Sequence, residues 1–305
     1  MLSKPLHANY HCQTPIPSRE NETSGNPEYW FRSEYFQNRG IYVASFDFFV
    51  NWKKNAVCDE VWIKRASDSD DIFTKTAKEL RSSIAVCDGQ DDCNRLYYFF
   101  KHHSITQKYM LFRDVPLTQW ENGGERIVQL DLSQLTDDSI SYLSVDDVQD
   151  QIKQLRQKSV PIGRNGLKYA TSSLETYLST QPYFWPGDCD ILLYDEHYNV
   201  LAIIEIKKHT KSSKIAFEDQ KISNYVNRDQ LKYKSLGLLK AKFRTKLFVL
   251  YYSVEPEHDY ILLEKLTGPY YDLRQDSIQR IVLPKKNSSD SLEQFSEAFV
   301  KFTGI

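Results

Sequence analysis

Hydrophobic and polar positions divide the chain into short segments of changing period. Over 40–52 (GIYVASFDFFVNW), Tyr42, Ala44, Phe46, Phe48, Val50 and Trp52 fall on one face, the period-two mark of a strand. VWIK at 61–64 predicts a second strand. Ser67–Asp71 has the residue types of a cap, and a helix is expected over about 72–86. CDGQDDC (87–93) reads as a turn. LYYFF (96–100), KYMLF (108–112) and RIVQLDL (126–132) read as strands, with ENGGE (121–125) as a tight hairpin turn. This half predicts an α+β region rich in antiparallel strands, with no internal repeat visible.

An acidic helical stretch (SVDDVQDQIKQLRQK, 144–158) follows, and then PIGRNG (161–166), whose Pro and Gly punctuation places a domain boundary at 160/161. Past it the pattern predicts a helix over 168–180, the strand DILLYD, the turn DEHYN and the strand VLAIIEIK. A basic loop then leads to a long helix within 217–240 and the strand KLFVLYYSV (246–254). YILLEKL, SIQRIVL and an amphipathic helix near 290–302 complete the chain. The expected class is α/β, with an N-terminal α+β domain (1–160) for substrate recognition and a separate C-terminal domain (161–305).

Composition narrows the class. Hydrophobic residues make up 41% and charged residues 26%, as a folded globular protein requires. No stretch reaches the ~20 apolar residues of a membrane span, and the N-terminus has no signal-peptide core, so no membrane partner is expected. The five cysteines (Cys12, Cys58, Cys87, Cys93, Cys189) are odd in number and lack CxxC spacing, which suits a reducing cytoplasm. The net charge of −2 argues against nucleic acid, but its distribution reverses that argument. Residues 207–246 hold twelve Lys and Arg against three acids, while the rest has 27 basic against 38 acidic. Local clustering of cations is what binds phosphate.

The segment carrying chemistry is PGDCDILLYDEHYNVLAIIEIKKH, 186–209. In its second strand Leu201, Ile203, Glu205 and Lys207 share one face and Ala202, Ile204 and Ile206 the other. A strand apolar on both faces belongs inside a covered sheet, yet this one ends on a carboxylate and an ammonium. Asp190 opens the neighbouring strand, and adjacent strands lie about 4.8 Å apart, so its carboxylate can meet that of Glu205. Two carboxylates beside an ammonium suit a divalent metal with oxygen ligands. Asp188, two residues before Asp190, competes as a ligand. The plainer reading of Glu205 and Lys207 is a surface ion pair closing a strand.

At these residues the chain resembles the PD-(D/E)XK nuclease superfamily, over roughly 165–254. Asp190 precedes Ile191-Leu192-Leu193, Glu205-Ile206-Lys207 supplies the tripeptide, and Glu175 stands where many members carry a helix Glu. The Gln230-to-Tyr233 spacing of three differs from the four of the RecB-like branch. The resemblance implies a restriction-endonuclease-like α-β-β-β-α-β core with a mixed central sheet. It implies Asp190, Glu205 and the Ile206 backbone carbonyl as ligands of Mg²⁺, replaceable by Mn²⁺. Asp190, Glu205, Lys207 and Glu175 are then the catalytic set. Lys208, Lys211, Lys214, Arg228, Gln230, Lys232, Tyr233 and Lys234 are the expected DNA-binding residues. The expected function is a Mg²⁺-dependent DNA endonuclease, restriction-type or structure-specific, acting as a homodimer. A non-catalytic nucleic-acid-binding or adaptor protein on the same fold is the alternative. Walker, dinucleotide, HExxH and GxSxG motifs do not occur.

Overall fold

A computed structural model describes residues 1–12, 14, 16–17, 23–132, 139–159, 166–183, 187–210 and 213–305. In chain order, β1 (Leu2–Ser3), β2 (Ala8–Asn9) and β3 (Ile16–Pro17) precede α1 (Pro27–Phe31) and α2 (Glu34–Gln37). Next come β4 (Tyr42–Asn51), β5 (Ala56–Ser67), α3 (Ala77–Asp88), α4 (Gln90–His102), β6 (Thr106–Arg113), α5 (Leu117–Asn122), β7 (Ile127–Asp131), β8 (Ile140–Leu143) and α6 (Val145–Arg156). They are followed by α7 (Ser173–Leu178), β9 (Gly187–Tyr194), β10 (Val200–His209), α8 (Gln230–Phe243), β11 (Lys246–Ser253), β12 (Tyr260–Thr267), β13 (Arg274–Val282) and α9 (Ser289–Thr303). The architecture is mixed α/β.

The chain divides into two compact units, 1–18 with 46–188, and 19–45 with 189–305. These divisions do not coincide with a boundary at 160/161, and residues 160–165 lie outside the described residues. The reason is long-range packing. Trp30, Phe31 and Phe36, from α1 and α2, join Phe295 and Phe299 of α9 in the core of the second unit. Leu174 and Leu178, from α7, join Val148 and Ile152 of α6 in the core of the first. Each unit thus takes the helix that precedes the other unit's first long strand.

Inside the units one topology occurs twice. In the first, β4–β5 is antiparallel, β5–β6 parallel, and β6–β7 and β7–β8 antiparallel. In the second, β9–β10 is antiparallel, β10–β11 parallel, and β11–β12 and β12–β13 antiparallel. Helices bridge each parallel pair, α3 and α4 in one and α8 in the other, and each series ends in an amphipathic helix. The repeat is one of topology and is not visible as a sequence repeat.

Several local expectations change. LYYFF lies inside α4, not in a strand: Gly89 at φ +89° restarts the chain after α3, Asp91 and Asp92 suit a helix N-terminus, and Phe99 and Phe100 bury. Aromatic β-preference is a weak prior that such packing overrides. The cap of α3 is Thr76, whose hydroxyl accepts from the Glu79 N–H while Glu79 accepts from the Thr76 N–H; Ser69 caps only a 3₁₀ turn at Asp70–Phe73. ENGGE is not a hairpin turn: Glu121 and Asn122 end α5, whose Trp120 is buried, and Gly123 is its C-cap. α8 begins only at Gln230, after two 3₁₀ turns at Phe217–Asp219 and Ile222–Asn224.

The parallel β10–β11 pair forms the centre of the second unit. Its register sets Glu205 against Val249 and Lys207 against Tyr251. Ile204, Ile206, Phe248, Leu250 and Tyr252 pack toward α9. On the opposite face α8 buries Tyr233, Leu236 and Leu239. Gly237 lets α8 lie against the loop after β12, since a Cβ there would lie 2.7 Å from Tyr270 Cα. Gly237→Ala is expected to cost about 1–3 kcal/mol, the usual scale of overpacking. Urea denaturation measures it; an unchanged or raised midpoint would show that the packing there is not tight.

Candidate functional site

Asp190 does not open its strand: it lies within β9, which begins at Gly187, and meets Glu205 within β10. The register Ile191 to Ile204, carried one residue further, sets Asp190 opposite Glu205. The Asp190 Oδ2 accepts the Ile206 N–H at 2.8 Å, which fixes its carboxylate beside the E-x-K tripeptide. Ser45 Oγ donates to the Asp190 carbonyl at 2.7 Å and steadies the strand from β4.

Glu205 is only 1% exposed, so it is not the surface ion pair of the plainer reading. Its Oε1 lies 3.2 Å from Lys207 Nζ and 2.8 Å from Lys232 Nζ. Neither carboxylate oxygen has a hydrogen-bond partner among the described residues. Charge compensation is therefore present while hydrogen-bonding capacity is unused, a costly state for a buried carboxylate. The phenol of Tyr233 is likewise buried and unpartnered among the described residues, and burial, with the Glu205 charge next, pushes its pKa well up.

Lys207 is held from several sides. Its Nζ donates to Asp229 Oδ2 at 3.1 Å and lies 5.3 and 5.5 Å from the ring centres of Tyr225 and Tyr233. Burial pushes the Asp229 carboxyl up, but the Arg228 hydrogen bond and the Lys207 charge outweigh it and hold it below the usual range. The basic loop leading to α8 is pinned by Glu264, a buried carboxylate whose Oε2 accepts from the Ile222 N–H at 2.8 Å and the Tyr251 hydroxyl at 2.7 Å. Burial raises its pKa.

The remaining expected residues are spread more widely. Lys214 and Gln230 are exposed, Lys208 and Lys234 half-buried, and burial lowers the Lys208 pKa. Arg228 is exposed and bonded to Asp229. Tyr233 is core, not a surface residue, and Lys232 is spent on Glu205. Lys211 lies outside the described residues. Asp188 sits on β9 within the first unit.

Glu175 also belongs to the first unit, and the bonds that hold it are there. Its Oε2 lies 3.0 Å from Lys64 Nζ and accepts from the Thr171 N–H at 2.8 Å. Lys64 pairs as well with Asp47 at 3.0 Å. Burial lowers the Lys64 pKa, but Asp47 and then Glu175 raise it further, so the ammonium stays charged.

Asp47 and Lys64 are the residues that sequence reading missed. Asp47 faces Trp62 across the β4–β5 pair, and Lys64 follows Trp62 by two. Asp190, Glu205 and Lys207 have the same relation, and the Asp-to-Lys interval is 17 residues in both cases (47 to 64, 190 to 207). That interval was the available signal. Trp62 in place of the glutamate hides it, and its indole N–H donates to Glu60 at 2.7 Å.

Against this geometry, the chain matches no family model, no curated protein and no solved structure.

Lys64→Met should leave Asp47 and Glu175 facing each other without a cation and destabilise the protein by about 3–5 kcal/mol, as breaking a buried pair does. Urea denaturation checks this; a mutant as stable as wild type would mean that the pair contributes nothing to the fold.

Proposed function

We propose that the second unit is a metal-dependent phosphodiesterase centre acting on DNA, built as a PD-(D/E)XK nuclease site on a restriction-endonuclease-like sheet. The observation carrying this reading is the buried Glu205 carboxylate, ion-paired but without hydrogen bonds, beside Asp190 and Lys207. No element among the described residues completes it. Its unused oxygen lone pairs and the all-oxygen donor set fit Mg²⁺ or Mn²⁺. Asp190, Glu205 and the Ile206 carbonyl would hold the ion. Such an ion supplies Lewis acidity toward water and a phosphoryl oxygen.

The chain's own groups do the rest. Lys207 reaches both Glu205 and Asp229, so its ammonium is positioned to orient an attacking water and offset charge growing on the phosphoryl oxygens. The two tyrosine rings keep that ammonium from swinging into solvent. Lys232 screens Glu205, and a divalent cation bound there would take over that role. Lys214 and Lys234 then remain for the phosphate backbone. A second copy of the chain would supply the second cut in a duplex.

Glu205→Gln should abolish Mn²⁺ binding in calorimetry. Lys207→Met should keep it and yet lower single-turnover cleavage of plasmid DNA by a factor on the order of 10² or more. Metal binding unaffected by Glu205→Gln would refute the site, and wild-type cleavage by Lys207→Met would refute the role of the ammonium.

The DNA surface has its own readout. Lys214→Ala with Lys234→Ala should reduce the slope of log affinity against log salt by about 0.9 for each phosphate that the variant no longer neutralises. An unaltered slope would remove both residues from the interface.

A further inference from the structure

We propose a second metal site in the same unit, formed by His209, Glu255, Glu257 and His258, that takes Zn²⁺ and clasps the end of β10 to the turn after β11. It does not rest on the nuclease reading. One ligand atom each from Glu255, Glu257 and His258 lies within 4.8 Å of the others. A cluster of that kind is common without an ion, and His209 is the independent observation.

His209 is the last residue of β10, two beyond Lys207, and only 7% exposed. Its Nε2 lies 3.0 Å from the Ile215 carbonyl. A carbonyl only accepts, so Nε2 carries a proton, and in the neutral ring Nδ1 presents a lone pair. A second ring nitrogen donating to a carbonyl is the usual outer partner of a metal-bound histidine. Nδ1 has no hydrogen-bond partner among the described residues, and neither has Glu255 Oε1, which faces it at 3.7 Å. That separation is too long for a hydrogen bond. It is close to the roughly 3.4 Å between two ligands on one tetrahedral zinc with bonds near 2.1 Å.

The surroundings suit a closed site. His258 Nδ1 lies 3.0 Å from Ser253 Oγ and its Nε2 3.3 Å from Glu218 Oε1, so the ring is oriented from both sides and an ion would replace one of these partners. Tyr260 donates to Glu218 at 3.2 Å and steadies that carboxylate. Phe217 packs against both histidine rings, with centroids 5.5 and 4.7 Å away, and shields them from water. Two imidazoles with carboxylates favour zinc over magnesium, which prefers oxygen ligands and keeps its waters.

The experiment uses the full chain carrying Glu205→Gln, which removes the proposed catalytic ligand, and titrates Zn²⁺ by calorimetry in excess Mg²⁺. One zinc per chain is expected, with a rise in melting temperature. Added Glu255→Gln or His258→Gln should weaken binding at least tenfold and cancel the rise. Co²⁺ in place of zinc should give visible d–d bands that the same changes remove. His209→Gln serves as a further variant provided its circular dichroism is that of the parent. No zinc uptake by the Glu205→Gln chain overturns the site. So does uptake that survives both Glu255→Gln and His258→Gln, which leaves His209 and Glu255 as an ion pair only. Loss of Mn²⁺ binding in Glu205→Gln alone bears on the catalytic reading and leaves this one standing.

Discussion

Burial of the Glu205 carboxylate constrains everything around it. Removing a carboxylate from water costs several kcal/mol even after relaxation, and hydrogen bonds ordinarily offset the cost. Here two ammonium groups approach one oxygen, and neither oxygen accepts a hydrogen bond among the described residues. The consequences run outward through the sheet and α8. Lys232 comes from the first turn of α8, so its ion pair ties the start of that helix to β10. Lys207, drawn to the same oxygen, needs Asp229 and two tyrosine rings to hold its own position.

Much of the second unit is legible in the sequence because its pattern is local. Alternation in VLAIIEIK assigns Glu205 and Lys207 to one face, and the short DEHYN turn forces pairing with the Asp190 strand. What is not legible depends on distant partners. Nothing near Lys232 in sequence announces Glu205, 27 residues earlier (232 minus 205), so it reads as one phosphate-binding lysine among many. Tyr233 reads the same way, though its ring is buried under the sheet. Glu175 stands where a catalytic helix glutamate is expected, but its helix packs with α6 in the first unit and its carboxylate is bound to Lys64. LYYFF misleads for the opposite reason: its aromatics favour strands locally, and burial of Phe99 and Phe100 from a helix prevails.

The domain boundary is misplaced for a topological reason. Pro and Gly punctuation marks where the chain turns, not where it packs. α1 and α2 are far from α9 in sequence but share its aromatic core, with Phe31 and Phe299 ring centres 5.0 Å apart. α7, likewise, joins the core built by the segment before it. Each unit is therefore assembled from two separated stretches, and no single cut in the sequence could divide them.

The repeated topology allows a comparison within one molecule. At matching places in the β4–β5 and β9–β10 pairs, an aspartate faces Trp62 in one unit and Glu205 in the other, with a lysine two residues on in each. Trp62 is fully buried and its indole N–H is satisfied by Glu60, so this position serves the fold without a buried charge. The first unit's lysine is neutralised by Asp47 and Glu175, neither of them on its own strand. The same sheet order therefore does not demand a strand carboxylate there. In the second unit the carboxylate is present, deeply buried and short of hydrogen bonds, with two lysines compensating its charge. A group kept at a cost to stability, where the sister unit does without it, argues for a ligand that binds it. This comparison supports the metal proposed at Glu205 independently of any resemblance in the tripeptide.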